Sequence, residues 1–150
     1  MEAKAGTMSL PARRGALQGM VEDLRELVGK AYEQALRAKR YIESVDKPIF
    51  RLSDGTLIEV PKQRIDKVFM VTITLDALDA FVTSLYQLED LGIFTESDLP
   101  WTVSLLDLEV IADLSEFGSQ FVHYLLRRYR LNQIKRVYAH DELGCWIPKP

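Results

Sequence analysis

Apolar residues recur at three- and four-residue steps from Val21 through Leu24, Val28, Ala31, Ala35 and Ala38 to Ile42. That spacing predicts one long amphipathic helix over 21–44, whose other face carries Glu22, Arg25, Glu26, Glu33, Arg37 and Arg40. Upstream, residues 8–19 hold Pro11, Gly15 and Gly19 and read as a connecting loop, with a short strand expected within residues 1–7.

Downstream the apolar period shortens to two. Residues 49–60 alternate around Asp54-Gly55, which predicts a hairpin closed by a tight primed turn. Residues 68–75 begin as a continuous apolar run and then alternate with Thr72 and Thr74. This is the pattern of a strand buried on both faces at one end. Asp76 is expected to cap a helix reaching Leu91, with Leu78, Phe81, Val82, Leu85 and Leu88 facing inward and Gly92 at its stop. Residues 101–106 read as a further strand. Asp107 is placed as the cap of a short helix through Leu114, and Ser115 as the start of another to Arg130, built on Phe117, Phe121, Tyr124 and Leu125. One more strand is expected around residues 135–138. Strands alternating with helices predict an α/β domain, a central mixed sheet flanked by helices, over the whole of residues 1–150.

Composition narrows the classes. A chain of 150 residues, 47% of them apolar, can bury one sizeable core but not two. A net charge of -3 offers no general attraction to nucleic acid, so any such binding needs a local patch. Cys145 is the one cysteine, which excludes an intrachain disulfide and favours a reducing compartment. No apolar run is long enough to span a membrane, and the first residues lack the apolar stretch of a signal peptide, so the cytoplasm is the expected location.

Chemistry concentrates at the start of the chain. Glu2-Ala3-Lys4 has the form Glu-x-Lys, and on a strand residues two apart project from the same face. A carboxylate is a hard oxygen ligand suited to Mg²⁺ or Mn²⁺, and a neighbouring amine can activate water or steady a phosphate. By itself so short a tripeptide is more often two solvated charges.

The wider context is Glu2-Ala3-Lys4-Ala5-Gly6, the loop Pro11-Ala12-Arg13-Arg14-Gly15, the helix stretch Ala31-Tyr32-Glu33-Gln34-Ala35, and Pro100 to Ser104 followed by Asp107 to Val110. With these residues the chain resembles the PD-(D/E)XK nuclease superfamily, and in particular uncharacterised bacterial proteins with a nuclease-related domain. The resemblance implies a restriction-endonuclease-like core acting on DNA. Glu2 would be a metal ligand, Lys4 the base or phosphate stabiliser, and Gln34 a helical amide turned toward the active site. Gln34 shares a predicted helix face with Ala31, Ala38 and Tyr41. Arg13 and Arg14, just after the strand, are the candidate DNA contacts.

The superfamily's metal-binding Asp stands on a strand upstream of Glu-x-Lys, and this sequence has only Met1 there. The chain is therefore expected to be the later part of a larger domain, weak or inactive alone. It is also expected to offer an open sheet edge near residues 1–7 to a missing segment or a second copy. The rival expectation is a non-catalytic module that completes a larger protein.

Other candidates are weaker. Arg127, Arg128, Arg130, Lys135 and Arg136 form either a phosphate-contacting patch or, more simply, the solvated face of a helix. Asp107, Glu109 and Asp113 are better explained by capping and solvation than by metal binding. His123 reads as half-buried, His140-Asp141 as a polar turn, and Cys145 as a small packed residue.

Overall fold

The computed structural model describes residues 2–4, 7–75, 78, 85–134 and 142–146. Its centre is a three-stranded sheet in the order β1 (Glu2–Lys4), β4 (Val71–Thr74), β5 (Trp101–Ser104), with both pairings parallel. The hairpin β2 (Ile49–Arg51) and β3 (Leu57–Glu59) pairs antiparallel with itself and stands apart as a two-stranded ribbon. The α/β class therefore holds. The expected mixed sheet resolves, among the described residues, into a parallel sheet and a separate hairpin.

Parallel neighbours need long crossovers, and helices supply them. Between β1 and β4 lie α1 (Leu10–Arg13), α2 (Leu17–Leu24), a π-helical turn (Arg25–Gly29) and α3 (Lys30–Ser44). Residues 8–19 are thus more ordered than the predicted loop. Pro11 sits in the first turn of α1, where its missing N–H costs nothing, and the long helix begins at Leu17 rather than Val21. Its end at Ser44 matches the expectation.

The π turn lies on the buried side of the helix, with Leu27, Val28 and Gly29 all buried. Leu24, Leu27, Val28, Ala31, Tyr32 and Leu36 are buried, whereas Ala38, expected inside, is exposed. Gly29 closes the turn where the helix meets the loop before β5. A Cβ there would stand 3.3 Å from Ile93 Cγ2, so the helix approaches as near as it does because no side chain intervenes.

Alternate residues of β4 serve different layers. Val71 and Ile73 pack with Trp101, Val103, Ile111 and Tyr124 on one side. Met70, two residues before Thr72, belongs to the opposite cluster with Tyr32, Leu36, Phe94 and Leu99. Thr72, Ile73 and Thr74 are all buried, so the strand is doubly covered at its alternating end and not at the apolar run of residues 68–71, where only Met70 is buried.

The hairpin differs in its turn. Gly55 N–H donates to Leu52 O, Leu52 N–H to Thr56 O, and Gly55 has φ +88°. This is a three-residue connection with glycine at the left-handed position, not the predicted two-residue primed turn. Asp54 Oδ1 accepts from Thr56 N–H at 2.8 Å and fixes the loop. The ribbon is held to α3 by Tyr41, whose ring meets Phe50 edge-on and whose hydroxyl accepts from Ile49 N–H at 3.1 Å.

The remaining helices are α4 (Leu85–Asp90), α5 (Leu105–Leu114), α6 (Gly118–Ile134) and α7 (Leu143–Trp146). The start of the helix expected from Asp76 and the strand expected at 135–138 lie outside the described residues. α5 follows β5 without a loop because Ser104 is its cap: Ser104 Oγ accepts from Asp107 N–H at 3.1 Å and donates to Asp107 Oδ2 at 2.9 Å. Asp107, placed as the cap from sequence, stands three positions on, and its N–H and its carboxylate both bond to the Ser104 hydroxyl. No helix among the described residues is long and apolar enough to cross a membrane.

Candidate functional site

The Glu-x-Lys tripeptide forms β1, and its register sets Glu2 level with Thr72 and Thr102, and Lys4 level with Thr74 and Ser104. Lys4, Thr74 and Ser104 thus end the three parallel strands on one edge of the sheet, the edge at which open α/β sheets ordinarily bind ligands. β1 is paired on one side only among the described residues, and α3 packs across it. The side chains of Glu2 and Lys4 lie outside the described part of the structure. Beside them in register, the Thr72 and Thr102 hydroxyls are fully buried and find no hydrogen-bond partner among the described residues.

Gln34 is not brought inward. The side of α3 that packs on the sheet is marked by Ala31, Tyr32, Ala35 and Leu36, while Gln34 and Ala38 are exposed and Tyr41 serves the hairpin. The stripe 31/34/38/41 inferred from spacing is therefore only marginal to the core. Within this regular helix Tyr32 and Leu36 carry the larger buried side chains, so the inward side centres on them and not on Gln34. Arg13 and Arg14 are exposed at the end of α1. Among the described residues no three His, Cys, Asp or Glu side chains form a group able to hold a metal ion. The side chain of Glu2, the proposed ligand, is not among them.

A different constellation, unforeseen from sequence, lies beyond the other face of the sheet. Glu142 is 2% exposed and its Oε1 accepts three bonds. They come from Trp101 Nε1 at 2.8 Å, from Arg128 Nε at 2.7 Å and from the Tyr124 hydroxyl. Arg128, 1% exposed, also donates to Asn132 Oδ1, and Asn132 Nδ2 reaches Pro100 O at 3.1 Å. Glu142 Oε2 is buried without a hydrogen-bond partner among the described residues. Burial of Tyr124, reinforced by the Glu142 charge, raises the tyrosine pKa far above its ordinary value. For Arg128 burial opposes the charge, but the attraction of Glu142 and the bond to it outweigh that loss and raise its pKa. The network rigidly joins α6, α7 and the start of β5.

These positions revise the secondary candidates. Arg128 belongs to a buried ion pair and not to a phosphate-contacting patch or a solvated face, because it stands four residues after Tyr124 on the apolar side of α6. Its proposed companions Lys135 and Arg136 lie outside the described residues, as does His140-Asp141. His123 is exposed rather than half-buried, and Cys145 is a buried thiol as expected.

A second polar node sits at the opposite strand ends. Asp98 takes Lys39 on one oxygen and the Tyr129 hydroxyl, at 3.1 Å, on the other. Lys67 lies 3.8 Å from the centre of the Tyr129 ring. No family model, no curated protein and no solved structure matches this chain.

Proposed function

We propose that the chain is a nuclease-related α/β domain. Glu2 and Lys4 are the retained acid and amine of a phosphodiester-hydrolysing site for DNA, and Arg13 and Arg14, exposed at the end of α1, are its DNA contacts. The observation that carries this reading is the position of β1. A Glu-x-Lys strand at the open edge of a parallel sheet, overlaid by the crossover helix that follows it, is the arrangement the superfamily resemblance implies. A strand added at that edge, from another segment or chain, is where a further carboxylate would enter.

A single carboxylate is an incomplete Mg²⁺ or Mn²⁺ set, so the chain alone is expected to cut DNA weakly or not at all. Plasmid cleavage in Mg²⁺ or Mn²⁺ tests this: little or no nicking fits the reading. Robust cutting that survives Lys4→Ala overturns the roles given to these residues.

The exposure of Gln34 favours a second reading, a non-catalytic module in which Glu2 and Lys4 are ordinary charges. Titration with Mg²⁺ followed by NMR separates the two. Shifts confined to Glu2 and its strand neighbours support the nuclease kinship, and none at millimolar metal supports the module.

A further inference from the structure

The outer face of α5 is apolar where a helix turned to water is ordinarily polar. Leu106, Val110 and Leu114 follow one another at single turns and are 68%, 41% and 51% exposed, with Phe117 just beyond the helix at 64%. The inner face is apolar too, since Ile111 and Leu108 pack into the core cluster with Trp101 and Tyr124. A helix apolar on both sides is one built to be covered on both.

Charge indicates what covers it. Glu109 and Asp113, one turn apart, border one flank of the stripe. Asp107 borders the other, and Glu116 follows at the end. Glu109, Asp113 and Glu116 enter no ion pair among the described residues. From Trp101 to Leu126 the chain contains no lysine or arginine. The apolar stripe thus has a rim of one sign.

We infer that this face docks a cationic amphipathic helix of a partner protein. Its apolar residues, at three- and four-residue spacing, lie on Leu106, Val110 and Leu114, and its lysines or arginines meet the acids of the rim. A second copy fits poorly, because a two-fold contact sets the same acids against each other. An anionic lipid surface is repelled for the same reason. The inference is independent of the nuclease reading, since α5 contributes nothing to β1.

The test uses the full chain and two synthetic helical peptides of about 15 residues. Both carry a leucine stripe, and the flanks are lysine in one and glutamate in the other. Calorimetric titration is expected to show binding of the lysine peptide, with the glutamate peptide about tenfold weaker or worse. Glu109→Lys with Asp113→Lys is expected to reverse that order. Val110→Asp, at an exposed position, is expected to abolish binding with an unchanged thermal melt. Equal binding of both peptides, binding of neither, or binding indifferent to Val110→Asp overturns the proposal. So does a dimer of the free chain, seen by sedimentation, that Val110→Asp dissolves, or Val110-dependent binding to zwitterionic vesicles.

Discussion

Arg128 Nε lies 2.7 Å from Glu142 Oε1, and both side chains are shut off from water. The pair joins α6 to α7, the last described helix, and the indole of Trp101 and the hydroxyl of Tyr124 share the same carboxylate oxygen. Removing one partner strands the other charge in the interior, which costs more than the pair itself is worth. Arg128→Ala or Glu142→Ala is expected to lower the unfolding free energy by about 3–5 kcal/mol, measured by urea denaturation. The apolar double replacement Arg128→Met with Glu142→Leu is expected to cost less than either single change. A cost for the double equal to the sum of the singles rejects the coupling.

Tyr124 gives the fold an alkaline limit. Its pKa is raised by burial and by the Glu142 charge, so the folded state keeps the phenolic proton at pH values where the unfolded chain releases it. The sign follows directly: this contribution is complete below the ordinary tyrosine value of about 10 and is lost as pH rises above it. Burial first of all raises Tyr32 and Tyr129 in the same direction. Stability measured from pH 8 upward is expected to fall beyond about pH 10, less steeply in Tyr124→Phe. Absorbance titration of phenolate is expected to show Tyr124 silent until the chain unfolds.

Gly29 tests the packing of the π turn. A Cβ added there meets Ile93 Cγ2 at 3.3 Å and Ile93 O at 3.5 Å. The methyls of a valine extend this clash into a packed region, and Gly29→Val is expected to destabilise by about 1–3 kcal/mol in chemical denaturation. Combining it with Ile93→Ala opens the space the valine needs. The pair is expected to cost less than the two single changes added together, and strict additivity argues against the contact as the cause.

The hairpin turn makes a local demand. Gly55 holds φ +88° with open space around it, so an added side chain suffers from backbone conformation and not from crowding. Gly55→Ala is expected to cost about 1 kcal/mol, with Gly55→Asn milder because asparagine tolerates the left-handed region better. Amide exchange in residues 49–59 is expected to quicken while exchange in the sheet stays the same.

Much of the architecture was legible along the chain. The long helix ended where periodicity placed its end, the hairpin formed around Asp54-Gly55, and residues 71–74 and 101–104 became strands from apolar runs of the expected kind. These features depend on neighbours within a few residues, and local backbone geometry converts spacing into faces. Errors arose where more than one spacing fitted the same helix. Tyr32 and Leu36 centre the buried side of the regular helix, which leaves Ala38 outside and Gln34 without the face assigned to it. Ser104 took the cap from Asp107 because the strand ran straight into the helix.

The sequence by itself determined the α/β class, the identity of the acid and amine on the first strand, and the acidic, lysine-free stretch that contains α5. Tertiary structure alone decided that β1 pairs in parallel with β4, and that Arg128, one of several adjacent arginines, is buried. It also decided that Glu142, from an unremarkable polar turn, is its partner. Helix phase could have pointed to Arg128 through Tyr124, four residues earlier. Nothing local identifies Glu142, because a buried carboxylate is tolerated only where cations and donors from distant segments converge on it, and that convergence exists only after folding.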